Sequence, residues 1–138
     1  MAQKTAVKDY FIPMSVSAIA KGSTGTSSSV TNNSGRQFIV TQLGIETQLD
    51  TTGGASQMSF SMTTSDDQTF MPNRVQVKSL LGATETRNPF TLATPMLIDA
   101  GVSVSITAEN INTGSNTEAA SIYVTMIGYL SDTYSTGY

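Results

Sequence analysis

Val102-Ser-Val-Ser-Ile-Thr-Ala-Glu-Asn-Ile111 and Ala120-Ser-Ile-Tyr-Val-Thr-Met-Ile-Gly-Tyr-Leu130 are the two runs on which the fold turns. In the first, Val102, Val104, Ile106 and Ala108 alternate with Ser103, Ser105, Thr107 and Glu109. Period two with β-branched residues is the pattern of a strand with one buried face. The second run places Ile122, Val124, Met126 and Leu130 on one side and Tyr123 and Tyr129 on the other. Asn112-Thr-Gly-Ser-Asn-Thr-Glu118 between them is loop chemistry. The pair reads as a long antiparallel hairpin.

Outward from this pair the same period recurs. Met14, Val16, Ala18 and Ala20 alternate with Ser15, Ser17 and Ile19, and Pro13 near the start favours a sheet edge. Lys21 to Gly35 is a Gly/Ser/Thr/Asn tract, read as a wide loop or a ragged edge strand near Val30. In Gln37 to Leu49, Ile39, Leu43, Ile45 and Leu49 share one parity, while Phe38 and Val40 share the other. That predicts a strand covered on both sides at its start, with Gly44 as a bulge or close approach. Met58, Phe60 and Met62 form a third strand, in a hairpin with the second. Arg74 to Lys78 alternates again, and Phe90–Leu92 and Met96–Ile98 are short pieces broken by Pro95. Helical periods do not occur. The expectation is an all-β protein: an antiparallel β-sandwich, jelly-roll-like, of seven or eight strands. Residues 13–130 form the sandwich domain, 1–12 an N-terminal arm, and 131–138 a C-terminal tail.

Composition narrows the chemistry. The chain has 138 residues, no Cys, no His, a charged fraction of 12% and a net charge of −3. Ser and Thr make up more than a quarter of it, so hydroxyls replace charges on the outer strand faces. Without Cys there is no disulfide, zinc–thiolate site or thiol nucleophile. Without His the commonest general base and metal ligand are gone. The acidic balance gives no electrostatic footprint for nucleic acid. No apolar run is long enough to cross a membrane as a helix, and Met1 to Tyr10 has no signal-peptide core. Synthesis and assembly in a cytoplasm are expected.

Asp66-Asp67 could meet a hard cation, but no further ligands follow at calcium-site spacing, so a turn is the better reading. Glu109 and Glu118 sit at strand ends where solvated charges belong, not as a paired acid and base. The Gly-rich tract has no lysine and helix of a phosphate-binding loop. No catalytic residue, cofactor or metal is expected, and the chain is read as a non-enzyme. The tyrosines could stack on sugars, although tryptophan, the strongest platform, is absent.

Phe38-Ile-Val-Thr-Gln-Leu-Gly-Ile45, Leu97-Ile-Asp-Ala-Gly-Val-Ser-Val-Ser-Ile106 and Ile122-Tyr-Val-Thr-Met-Ile-Gly-Tyr129 occur in that order. In this the chain resembles the small virion proteins of tailed bacteriophages, especially capsid decoration or cement proteins. The resemblance spans roughly Arg36 to Leu130. It implies a homo-oligomer, with a trimer favoured, that clamps the major capsid protein on the capsid surface after assembly in the host cytoplasm. It transfers no catalytic residue. The alternatives are a receptor-binding or fibre domain of a virion, and a carbohydrate-binding module. The arm and tail lack a pattern that would bury them on their own sheet, so partner contacts are expected at Lys4, Lys8, Tyr10, Phe11, Tyr134 and Tyr138.

Overall fold

The computed structural model describes residues 8–52, 56–68, 71, 73–82, 84–112 and 117–134, with 132–134 described by backbone alone. Nine strands and one helical turn are described. They are β1 (Lys8–Ile19), β2 (Thr24–Thr26), β3 (Val30–Thr31), β4 (Arg36–Leu49), β5 (Met58–Thr64), β6 (Val75–Gln76), α1 (Val77–Leu81), β7 (Phe90–Ile98), β8 (Ser103–Asn110) and β9 (Ala120–Tyr134). One sheet has the order β1-β9-β4-β7 and the other β2-β8-β5-β6, with β3 also paired to β8. Every pairing is antiparallel.

If β2 and β3 count as one interrupted strand, eight remain. Their order is then first-eighth-third-sixth in one sheet and second-seventh-fourth-fifth in the other. Successive strands change sheets at nearly every connection, which is a jelly-roll-like order. This overturns both expected hairpins. β8 pairs with β2, β3 and β5, whereas β9 pairs with β1 and β4. Likewise β4 and β5 lie in opposite sheets. Alternation shows which side of a strand is apolar, and a loop as long as 111–119 can carry the chain across the core instead of back alongside itself.

The core lies between the sheets. Val104, Ile106 and Ala108 of β8 and Ile122, Val124 and Met126 of β9 are fully buried, as their alternation predicts. Phe38, Val40, Leu43 and Ile45 of β4 are all buried too, although they differ in parity. A register shift between Val40 and Gln42 explains this: Thr41 is an extra residue opposite the β9 ladder. Such a bulge reverses which side chains face inward. The start of β4 is therefore not covered on both sides; Ile39 points outward and Phe38 inward. Gly44 is not the bulge. The close approach is at Gly128, opposite Val40, where an added Cβ would lie 1.9 Å from the Ile39 carbonyl oxygen.

Three further expectations are corrected. Arg74 to Lys78 is not a strand: only Val75 and Gln76 pair, and the chain then makes the turn α1, which buries Val77 and Leu81. Phe90 to Ile98 is one strand, because Pro95 falls in the stretch that the β4 register skips between Met96 and Thr91, on a sheet edge. The arm and tail boundaries shift as well. β1 already begins at Lys8, opposite Leu130, and Ile12 is buried. β9 runs on to Tyr134, opposite Arg36. Pro13 does lie in an edge strand, as anticipated.

Buried side-chain amides close the sheet ends. Asn110 Nδ2 donates to the carbonyls of Ile19 (3.0 Å) and Glu118 (3.2 Å), and its Oδ1 accepts from Asn112. Asn32 Nδ2 likewise donates to Arg36 and Ile98 carbonyls, each at 2.9 Å. These bonds give a donor to carbonyls at the ends of β1, β4 and β7 and to that of Glu118 in the loop.

Candidate functional site

The two outer faces of the sandwich differ in chemistry. On the β2-β8-β5-β6 sheet the outward residues of the central strands are Ser103, Ser105, Thr107 and Glu109, and Ser59, Ser61 and Thr63. Their hydroxyls bond across strands: Thr26 with Thr107 at 3.1 Å, Thr31 with Ser103 at 2.6 Å, and Thr63 with Ser105 at 3.1 Å. At one end of this face a polar cleft of about 500 Å³ is lined by Ser59, Asn73, Arg74, Gln76, Glu109 and Ile111, among others. Arg74 Nη2 donates to Glu109 Oε1 there, at 3.1 Å. The Arg–Glu pair is partly exposed and of little structural worth.

The outer face of the β1-β9-β4-β7 sheet carries an apolar strip. Phe11, Leu97 and Tyr123 are the exposed large hydrophobics among the described residues, at 56%, 44% and 40% exposure. All three have outward parity on this sheet. Register places them in rows: Asp9–Tyr129–Ile39–Leu97, then Phe11–Ile127–Gln42, then Pro13–Thr125–Gly44, then Ser15–Tyr123–Glu46. An apolar strip thus crosses all four strands, with polar residues at its rim. Ile39 joins it because the bulge at Thr41 turned it outward.

Beside the strip is a depression of about 350 Å³ lined by Gly44, Ile45, Glu46, Asn88, Tyr123 and Thr125. Gly44 leaves it open: an added Cβ would meet only Ile127 Cδ1 at 3.5 Å and Thr125 at 4.0 Å. The Asn88 wall is fixed by two bonds to one residue. Its Nδ2 donates to the Ile45 carbonyl at 2.8 Å, and its Oδ1 accepts from the Ile45 N–H at 3.1 Å.

Of the expected contact residues, Phe11 stands on the apolar strip. Lys8 is exposed at the start of β1. Tyr10 has inward parity, and its ring meets Phe38 edge-on, with centroids 5.1 Å apart and planes at 79°. It therefore caps the core. Lys4 and Tyr138 lie outside the described residues, and only the backbone of Tyr134 is described, at the end of β9. Leu97, Ile39 and Ile127 were missed. Their outward parity was readable only once the bulge had been placed, except for Ile127, which alternates with the buried Met126.

Asp66 is occupied locally. Its carboxylate accepts from Thr64 Oγ1 (2.5 Å) and Gln68 Nε2 (2.7 Å), and these bonds hold its pKa below the ordinary aspartate value. Among the described residues no three Asp, Glu, His or Cys side chains come together as metal ligands. Glu109 faces Arg74, and Glu118 accepts from Thr52, so the two glutamates do not form a pair. No described helix is long and apolar enough to cross a membrane.

No protein-family model matches the chain, and no curated protein matches it by sequence. A search of solved structures finds similarity to a chain of the acidic stable capsid structure of Helicobacter pylori bacteriophage KHP30. The two share 16% identity at a TM-score of 0.49, over 95% of this chain and 94% of that one.

Proposed function

We propose that the chain is a non-enzymatic structural protein of a bacteriophage virion that decorates or cements the capsid through subunit–subunit contacts. The observation that carries this reading is the apolar strip across the β1-β9-β4-β7 sheet, the face that holds the exposed large hydrophobics of the described residues. A contiguous apolar patch with a polar rim marks a protein contact surface. The jelly-roll-like order is compatible, because capsid domains use it; lectins use it too, so the fold alone does not decide. The sequence resemblance to decoration proteins points the same way. In this reading the partners are the major capsid protein and further copies of the chain, as a trimer, on the capsid surface. Lys4, Lys8, Phe11, Tyr134 and Tyr138 remain the contact residues proposed for the two ends.

A carbohydrate-binding role is favoured by one observation, the polar cleft around Arg74 and Glu109. It supplies many hydrogen-bonding groups, but among the described residues no aromatic platform lines it. Immunogold electron microscopy of particles released from cells that make this chain tests the main reading. Label on the heads is expected, together with a native mass three times the 14.6 kDa chain. Protein found only free of particles, with a glycan array giving specific signal, would replace it with the carbohydrate reading.

A further inference from the structure

We infer that the apolar strip receives a partner protein that presents an arginine or lysine beside apolar side chains, with the basic group seated in the depression over Gly44. This partner chemistry rests on the assembly reading above; the peptide experiment below needs no virion, so the two can fail separately.

Charge carries the choice of occupant. Among the described side chains, the outward charged residues of the face are Asp9 and Glu46, and Asp99 stands at its edge, bonded to Gln37 at 2.8 Å. β7 and β9 contain no lysine or arginine. Arg36 of β4 is buried, Lys8 of β1 is exposed at the strand's first residue but has inward parity, and the exposed Arg87 beside Asn88 lays its guanidinium against Gly82, away from the face. A second copy docking by the same face would therefore bring carboxylates against carboxylates. A basic partner would meet them with favourable charge.

Geometry gives the basic group a seat. Tyr123 pairs in register with Glu46, and both line the same depression. A guanidinium there stacks on the ring and pairs with the carboxylate, the arrangement of a cation–π contact with a counter-ion. The missing side chain at Gly44 leaves room, and the doubly bonded Asn88 holds the opposite wall in place. Phe11, Ile127 and Leu97 then cover the apolar neighbours of that residue. Four strands at about 4.8 Å spacing, over about eight residues of about 3.3 Å, present roughly 500 Å². That falls below the ~800 Å² per partner of a standard interface, so each contact is weak and gains strength by repetition.

The test is an amide-shift titration of the full-length ¹⁵N-labelled chain with three synthetic peptides. They are acetyl-Leu-Arg-Leu-Arg-Leu-amide and its versions with Glu or Ser at both Arg positions. The Arg peptide is expected to shift Gly44, Glu46, Tyr123 and Thr125, and to bind more tightly than the other two. Glu46→Gln is expected to weaken it about threefold, the scale of one exposed ion pair, and Tyr123→Ser to weaken it further. Both variants change exposed side chains and are expected to melt as the parent does. Equal binding of the three peptides, shifts confined to the Arg74 cleft, or no effect of Glu46→Gln would overturn the inference. So would a concentration-dependent dimer that Phe11→Ser abolishes, because the face would then belong to a second copy.

Discussion

Gly128→Ala probes the bulge that sets the face of β4. The added Cβ would sit 1.9 Å from the Ile39 oxygen, 2.9 Å from its carbonyl carbon and 3.0 Å from Val40 Cα. The oxygen is therefore about 1 Å closer than the 3.0 Å that real Cβ contacts respect. All three atoms are backbone, so no side chain can swing away. Relief requires β4 to move off β9 at the bulge, in the middle of the sheet. Breaking about two ladder bonds costs about 1 kcal/mol each, and overpacking adds about 1–3 kcal/mol. We expect a loss of about 3–5 kcal/mol, a large part of the ~5–15 kcal/mol that holds a domain folded. At about 3–5 °C per kcal/mol for a chain of this size, the melting temperature should fall by roughly 10–20 °C. Gly44→Ala is the control: its Cβ would make ordinary contacts, and its melting should change by little. Thermal unfolding by circular dichroism reads both. A Gly128→Ala protein that melts within about 2 °C of the parent would refute the bulge geometry and, with it, the outward placement of Ile39.

Three other outcomes are expected. Asn110→Ala strands the Ile19 and Glu118 carbonyls in the interior and should cost about 2–3 kcal/mol in urea unfolding. Deleting residues 1–12, which removes buried Ile12 and five pairings to β9, should lower melting clearly by calorimetry. Asp66 has a depressed folded pKa, so its small contribution is present above the unfolded value of 3.8 and is lost as pH falls through the folded one. Carboxyl-carbon NMR should show its midpoint below that of a free aspartate, and Thr64→Val should raise it.

Much of the strand content was legible because period two survives wherever a strand has one dry face. β8 and β9 could be read residue by residue, including the outward Tyr123 and Tyr129. What alternation does not carry is the identity of the neighbouring strand. β8 and β9 each present an apolar side, and these sides fit together equally well within one sheet or across two. The bulge was hidden for a different reason. Thr41 is an ordinary strand residue, and the glycine that permits the bulge, Gly128, lies on the partner strand nearly ninety positions away. α1 was too short to show a helical period. Of the candidate site, Phe11 was visible as an aromatic near the start of the chain. The strip it belongs to was not, because Ile39 and Leu97 turn outward only after the bulge has shifted the parity of β4 and the register of β7.

The pairing of Lys8 with Leu130 has a consequence for how the molecule is made. β9, the last described strand to be synthesised, lies between β1 and β4, so that sheet has no centre until residues beyond 120 exist. Partners so distant in sequence make folding slow, on the scale of milliseconds to seconds. During translation, at about 5–20 residues per second, the apolar sides of β1 and β4 wait uncovered for several seconds. The same strand supplies Tyr123, Ile127 and Tyr129 to the outer strip. A polypeptide interrupted before residue 120 can therefore neither close its sandwich nor display that strip. The topology acts as a check on completeness: only chains translated through β9 can both close the sandwich and present that face.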